Sequence, residues 1–174
     1  MRKLVLFSLL VVLSLSVGQA MGDDNQDIIA HPECPYCGMD RAKFAHARMQ
    51  LTYDDNSTLG FCSVHCAAVD MAMFLDKIPT AFEVGDYNTK KLIDAEKAFW
   101  VIGGDKPGVM TRQPKWAFEK KSDADQFIQA QGGKPATFEA VIEATYADMY
   151  QDTKMIREKR KMMRERMKNQ HKKE

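Results

Sequence analysis

The sequence predicts an α+β fold made of two tandem ββαβ-like units with antiparallel sheets, followed by a basic C-terminal helix. Three observations carry this prediction. Apolar and polar residues alternate over residues 45–53, which is typical of a half-buried strand, and other short apolar segments bounded by turn residues also favour strands. Longer segments with helical spacing lie between them, and Gly, Pro, Asn and Asp separate the segments. Each half of the chain orders its segments as strand, strand, helix and strand.

In the first unit, alternation over residues 45–53 predicts a strand, and the turn residues after it predict a hairpin into a second strand at residues 59–62. Ser63 is suited to cap a helix, in which apolar residues recur at helical spacing as far as Ile78. A following proline ends this helix. Residues 81–84 are the third predicted strand.

In the second unit, residues 98–102 and 115–119 are the first two predicted strands. A capping pattern that starts at Ser122 opens a short helix, and the glycines at 132–133 end it. Residues 134–138 start one more strand. The two units share this order of elements but little residue identity, so the predicted repeat is one of topology.

The first 20 residues have the pattern of a secretory signal peptide, with a basic start, an apolar stretch of 14 residues and small residues before the cleavage position. We expect the mature chain to begin near Met21 and residues 21–29 to form a flexible polar leader. The apolar stretch is short for a membrane span, although an uncleaved anchor is the alternative. No cysteine near the cleavage position is available for a lipid anchor. These features predict a periplasmic protein.

The four cysteines fall into two close pairs. Two residues separate Cys34 from Cys37, three separate Cys62 from Cys66, and 24 residues lie between the pairs. The first pair lies in a Pro/Gly turn, and the second connects a strand end to the first turn of a helix. This spacing is typical of a tetrahedral four-sulfur metal site of the zinc-knuckle kind.

Two metal ions suit this set of ligands. Zn(II) takes four thiolates in a tetrahedron, whereas Cu(I) prefers soft thiolate and thioether ligands and is satisfied by two or three of them. Met39 and Met110 are candidate thioether ligands, and His65 is a candidate because it lies between two cysteines. The residues by themselves leave both ions open.

Two other uses of the cysteines are open. Four cysteines in an exported protein commonly form two disulfides. A domain of this size scarcely needs them, and bonds within the close pairs would close only small loops. The segment from Cys34 to Cys37 also resembles the redox motif of glutaredoxins, which makes thiol-disulfide exchange the main enzymatic alternative. That motif needs a preceding apolar strand and a following helix, and neither Pro32 nor Gly38 fits this context.

A series of segments, in order from about residue 30 to 145, resembles the NosL family. The segments are Cys34-Pro-Tyr-Cys37-Gly-Met39, Phe61-Cys62-Ser63, Val84-Gly-Asp86-Tyr87, residues 98–103, Met110, Trp116-Ala-Phe118 and residues 124–133. The resemblance implies a periplasmic, usually lipid-anchored copper protein that binds Cu(I) and helps to load nitrous oxide reductase. It also implies a pair of ββαβ-like units. We expect the corresponding metal-binding domain to cover residues 30–147.

The resemblance also implies site residues. The Cys-Gly-Met segment of the family corresponds to Cys37, Gly38 and Met39, and a later methionine of the family corresponds to Met110. The Phe-Cys-Ser segment, together with Cys66, resembles the TRASH-type knuckle of proteins that handle heavy metals. This chain departs from the family pattern by its additional thiols and by the missing lipoprotein cysteine.

The charge of the chain is concentrated in a tail. The whole sequence has a net charge of +1, but residues 154–174 contain ten Lys/Arg and three Glu. We expect residues 148–174 to form a basic, Met-rich helical tail. One interpretation is a solvated, fraying helix. The other is an arm that contacts an acidic partner or an anionic membrane surface, with thioethers that hold Cu(I) transiently.

Together these patterns predict an exported Cu(I) metallochaperone that passes its ion to a copper enzyme by ligand exchange. By resemblance, the recipient is nitrous oxide reductase or its assembly machinery. We expect no enzymatic activity, since the sequence has no nucleophile-base pair or phosphate-binding loop, and no nucleic-acid-binding surface. The alternative is a Zn-stabilised interaction module or a heavy-metal-binding protein in which all four cysteines are structural.

Overall fold

A computed structural model describes residues 25–171. The predicted signal peptide, the first residues of the predicted leader and residues 172–174 of the tail lie outside the described residues. Within the described range, no helix combines the length and the apolar character needed to cross a membrane.

Apart from α1 and β4, the strands and helices follow one another in the order that the sequence predicts. In chain order the elements are α1 (Gln26–Ala30), β1 (Met49–Tyr53), β2 (Thr58–Phe61), α2 (Val64–Met73), β3 (Pro79–Gly85), β4 (Leu92–Asp94), β5 (Phe99–Ile102), β6 (Lys115–Phe118), α3 (Lys121–Gln131), β7 (Lys134–Ala136) and α4 (Phe138–His171). The short strand β4 was not predicted, because three residues at a sheet edge give no clear periodicity.

The two sheets share the topology of their first three strands, and the first sheet has one strand more. The first has the strand order β2-β1-β3-β4 and the second has the order β6-β5-β7, with every pair antiparallel. In each unit the first strand lies between the other two. The second strand pairs with one edge of it, and the third strand, which follows the helix, pairs with its opposite edge. The prediction of two ββαβ-like units with antiparallel sheets is confirmed.

The core follows the period-two pattern of the strands. On β1 the buried residues are Met49, Leu51 and Tyr53, and α2 packs on this strand. On β5, Trp100 belongs to the core of the first unit, whereas Val101 packs with the residues between the second sheet and α3. Adjacent residues of one strand therefore join two apolar clusters, since their side chains point to opposite faces.

Helix α2 ends at Met73, before the predicted end at Ile78. The predicted end was wrong because Pro79 starts β3 and restricts the residue before it to extended conformations. The chain must also reverse here to pair with β1. As a result Phe74 and Leu75, which the helical pattern assigned to the apolar face, are exposed.

Helix α4 is one continuous helix that contains residues 148–171 of the predicted tail. Phe138 and Val141 at its start are buried in the core of the first unit. The helix then contacts α2 and β5. The predicted basic C-terminal helix is confirmed, but it begins earlier than the tail and is anchored in the core.

A buried ion network joins α1 to the residues before β1. The side chain of Asp27 lies between Arg41 and Arg48, both of which are completely buried. Asp27 Oδ2 accepts hydrogen bonds from Arg41 Nη2 and Arg48 Nε, each at 2.7 Å, and Oδ1 accepts one from Arg48 Nη2 at 3.0 Å. Burial by itself would raise the pKa of Asp27, but the hydrogen bonds and charges of both arginines outweigh it and hold the pKa below its ordinary value.

This network corrects two predictions. Residues 26–29 were expected in a flexible leader, but α1 is folded against the domain because Asp27 is the counter-charge of two buried arginines. The alternation along the strand assigned Arg48 to the polar face. The structure buries it, because its charge is paired there with Asp27.

Arg41 connects the two cysteine segments through their backbones. Its Nη1 donates a hydrogen bond to the carbonyl of His31 at 2.7 Å, and its Nε donates one to the carbonyl of Phe61 at 3.2 Å. His31 lies just before the first cysteine pair, and Phe61 directly precedes Cys62. Gly60 provides the space, because an added Cβ would clash with the guanidinium group of Arg41.

We expect Asp27→Asn to lower the free energy of unfolding by about 3–5 kcal/mol, because two buried guanidinium groups then lose their counter-charge. Urea denaturation of the reduced protein at pH 7 measures the change. The matched control is Asp125→Asn, which removes an exposed ion pair with Lys121 on α3. Exposed pairs of this kind contribute less than about 1 kcal/mol. Equal losses in the two variants would contradict the role given to Asp27.

The Asp27 carboxylate should also make the free energy of unfolding depend on pH. The folded-state pKa of Asp27 is lower than its ordinary value of 3.8, so its contribution to stability is complete above about pH 5 and is lost as the pH falls through the folded-state pKa. In Asp27→Asn this contribution is absent at every pH. The difference in unfolding free energy between the wild type and Asp27→Asn should therefore shrink between pH 5 and the acid limit of folding. A constant difference over this range would contradict the assignment.

Candidate metal centre

Four thiols meet where the loop after α1, the end of β2 and the start of α2 come together. The Sγ atoms of Cys34, Cys37, Cys62 and Cys66 all lie within 4.8 Å of one another. Cys62 Sγ is 3.4 Å from Cys37 Sγ and 3.7 Å from Cys66 Sγ, and all four cysteines are free thiols. A tetrahedral site with metal–sulfur bonds of about 2.3 Å has sulfur–sulfur edges of about 3.8 Å. The four-cysteine cluster therefore fits one metal ion.

The first pair of cysteines is held in a tight turn. The backbone N–H of Gly38 donates to the carbonyl of Cys34 at 2.8 Å, and the N–H of Cys34 donates to the carbonyl of Met39 at 2.9 Å. Gly38 has a φ of 69°, in the left-handed region that favours glycine. Cys37 is thus followed by a turn rather than by the helix that a glutaredoxin-like motif requires.

Tyr36 ties this turn to the second cysteine segment. Its ring stacks on that of Phe61, with centroids 6.0 Å apart and an interplanar angle of 11°. Its hydroxyl donates a hydrogen bond to the buried carboxylate of Asp70 on α2, which also accepts one from Tyr53. Burial and the Asp70 carboxylate raise the pKa of Tyr36, so the hydroxyl stays protonated and remains a donor. The sequence analysis did not identify Asp70, because its two tyrosine partners are distant in the sequence and no local pattern connects them to it.

The thiols of the four-cysteine cluster differ in acidity. Hydrogen bonds from the thiols of Cys37, Cys62 and Cys66 hold the pKa of Cys34 below its ordinary value. Hydrogen bonding with the Cys34 sulfur, together with burial, raises the pKa of Cys62 and of Cys66. The positive charge of the buried Arg41 also interacts with Cys34. The hydrogen bond with Cys34 raises the pKa of Cys37, but those with Cys62 and Cys66 outweigh it, so this pKa also lies below its ordinary value. A bound metal ion would favour the thiolate form of all four residues.

Access to the cluster is from one side. Cys34, Cys62 and Cys66 are at most 2% exposed, whereas Cys37 is partly exposed. Cys37 faces a groove of about 410 Å³ between the domain and α4. We call this space the sulfur groove, because five sulfur-containing residues line it. These residues are Cys37, Met39, Met110, Met155 and Met163.

Both methionines that the sequence singled out line the sulfur groove. Met39 follows the cysteine turn directly, and Met110 approaches from the loop between β5 and β6. Met110 has a φ of 61°, which is uncommon for a residue other than glycine and costs about 1–3 kcal/mol. The structure therefore brings Met39 and Met110 together with Cys37, the most accessible of the four thiols.

His65 has different neighbours. Its Nδ1 lies 3.7 Å from Asp152 Oδ2 on α4, and neither atom has a hydrogen-bond partner in the described part of the chain. Burial lowers the pKa of His65, although the Asp152 carboxylate opposes this effect. His65 lies beside Cys66 in α2, but its nitrogens are not part of the group of four sulfurs. The structure brings it to the contact between α2 and α4.

Sequence reasoning did not place any residue of α4 at the site. Met155 and Met163 line the sulfur groove, and Arg160 Nη2 donates a hydrogen bond to the carbonyl of Cys37 at 3.0 Å. The available signal was the helical spacing of Met155, Ile156 and Met163, which gives α4 an apolar stripe within a basic segment. That spacing does not say which surface the stripe covers.

Comparisons with known proteins agree with this fold. A crystal structure of the copper chaperone NosL from Shewanella denitrificans matches this chain with a TM-score of 0.50 and 23% identity, over 62% of this chain and 87% of that chain. A search of curated proteins found no significant match. The family model of NosL matches residues 25–146, which include all four cysteines, Met39 and Met110. Because this match covers most of the sequence, the chain belongs to the NosL family.

Proposed function

We propose that this protein is a Cu(I)-binding metallochaperone. The observation that carries the proposal is a four-cysteine cluster whose partly exposed member, Cys37, opens into a groove lined by thioethers. Thiolates and thioethers are the soft ligands that Cu(I) prefers. The fold match to the copper chaperone of Shewanella denitrificans supports copper as the cargo.

Cys34, Cys37, Cys62 and Cys66 would hold the ion, and Met39 and Met110 would bind it on the groove side when it leaves the cluster through Cys37. Cu(I) is satisfied by two or three soft ligands, so one bond can be exchanged while the others hold the ion. Cys37 is the residue at which a partner can begin this exchange, because the other three thiols are buried. Transfer by this route breaks no covalent bond of a substrate and needs no catalytic residue.

We also propose the compartment and the recipient. The signal-like first 20 residues and membership of the NosL family support export to the periplasm. The recipient would be a copper enzyme or its assembly machinery, and the family name supports nitrous oxide reductase. The basic helix α4 offers this partner, or an anionic membrane surface, a charged face.

A structural zinc module is the second candidate function. The observation that favours it is the near-tetrahedral spacing of four thiols, three of which are buried. Structural zinc sites are closed in this way and contribute directly to folding. In that case the four cysteines would retain Zn(II), and the domain would unfold without it.

An anaerobic titration of the reduced mature chain, residues 21–174, separates the two candidates. We expect tight, roughly stoichiometric Cu(I) uptake in competition with a chromogenic chelator, because the cluster offers only soft ligands. The titration is repeated with Zn(II) bound beforehand, and we expect Cu(I) to displace it. Retention of Zn(II) with only weak Cu(I) uptake would contradict the chaperone and favour the zinc module.

Cys37→Ser provides a second test. Because Cys37 is partly exposed, we expect the metal-free variant to keep the circular dichroism spectrum and thermal midpoint of the metal-free wild type. We expect its Cu(I) affinity to fall by at least about tenfold, because the substitution removes one of the sulfur ligands. A variant that is folded only when Zn(II) is added would support the zinc module instead.

A further inference from the structure

The segment of α4 beyond the family match is attached to the metal-binding domain. The NosL match ends at residue 146, and the helix continues to His171. Asp148 Oδ2 accepts a hydrogen bond from Lys115 Nζ at 2.6 Å, and Asp152 Oδ1 accepts one from the backbone N–H of Arg112 at 2.8 Å. Lys115 is buried, so the first of these contacts is an ion pair shielded from water. The segment is thus held against the loop that carries Met110.

A third contact reaches the cysteine turn itself. Arg160 Nη2 donates to the carbonyl of Cys37 at 3.0 Å. Two turns of α4 separate Asp152 from Arg160, so the helix crosses the opening of the sulfur groove between two attachment points. One wall of the groove therefore belongs to the family domain, and the other wall belongs to the added segment.

The face of α4 that forms this wall carries two thioethers. Met155, Ile156, Lys159, Arg160 and Met163 line the groove, at the spacing of a single helical stripe. The opposite wall contains Met39, Met110 and the partly exposed Cys37. Met162 and Met167 lie on the same helix and are about as exposed as Met163, but they do not line the groove.

We propose that Met155 and Met163 complete a second Cu(I) site in the sulfur groove, separate from the buried four-cysteine cluster. Its ligands would be thioethers from both walls, with Cys37 as the residue shared with the cluster. Thioethers bind soft monovalent cations such as Cu(I) and bind Zn(II) poorly. The site is therefore selective for copper even where the cluster alone would accept either ion. This inference rests on the proposed function only in taking Cu(I) as the ion.

The charges around the groove determine which of the two sites binds Cu(I) more tightly. Thioethers are neutral, so Cu(I) bound by them keeps its positive charge, and Lys159 and Arg160 lie in the same lining. These cations oppose a bound cation, whereas the thiolates of the buried cluster attract it. The groove is thus the weaker of the two sites. An ion that leaves the cluster through Cys37 would bind transiently in the groove before it passes to a partner.

The test follows the methionine side chains directly. The full mature chain is labelled with ¹³C at the methionine methyl groups. Its NMR spectrum is recorded while Cu(I) is added anaerobically, up to two equivalents per protein chain. We expect the methyl resonances of Met155 and Met163 to shift, together with those of Met39 and Met110. The resonances of Met162 and Met167 should not move. Unchanged resonances for Met155 and Met163, or equal shifts for all four methionines of the tail, would overturn the proposal.

A pair of double variants measures the affinity. Met155→Leu/Met163→Leu keeps the apolar volume but removes both thioethers, and it should weaken binding of the second Cu(I) equivalent by about tenfold, or about 1.4 kcal/mol. Met162→Leu/Met167→Leu is the matched control and should bind as the wild type does. Equal affinity of both variants for the second equivalent would contradict the groove site.

The two proposals fail in different ways. If the first Cu(I) equivalent binds tightly in every variant but the resonances of Met155 and Met163 do not respond, the groove site is wrong and the chaperone proposal stands. If the four cysteines keep Zn(II) while Cu(I) shifts only the groove methionines, the groove site stands and the copper role of the cluster is wrong.

Discussion

The shared carboxylate of Asp27 is the interaction on which the rest of the structure depends. It is the counter-charge of two completely buried arginines, and a buried guanidinium group without a partner is strongly destabilising. The remaining donors of Arg41 reach the backbone carbonyls of His31 and Phe61, which border the two cysteine segments. The separation of the thiols is therefore set by a polar network as well as by apolar packing.

The same network influences the chemistry of the four-cysteine cluster. Two arginines and one aspartate give this network a net positive charge, and Arg41 interacts with the sulfur of Cys34. A metal ion bound by several thiolates forms an anionic complex, which this charge stabilises. Arg41 thus contacts the backbone of both cysteine segments and also interacts with the charge of Cys34.

The site combines a closed part and an open part. Three thiols are buried behind Tyr36 and α2, where hydrogen bonds to Asp70 hold the cysteine turn in place. Cys37 alone of the four opens toward the sulfur groove, which thioethers line on both walls. A closed part retains an ion, and an open part allows its ligands to be exchanged one at a time. This division of roles suits a carrier better than a purely structural site.

The sequence by itself predicted most of the strands and helices of both units and the grouping of the four cysteines. These features depend on local spacing: the period-two alternation of β1, the helical spacing of α2 and the short intervals within each cysteine pair. Only the tertiary structure decided that Arg48 is buried, since its partner Asp27 is 21 residues away. It also decided that Met155 and Met163 face Cys37. Helical spacing defines a stripe on α4, but long-range contacts to α2, β5 and the β5–β6 loop decide which surface that stripe covers.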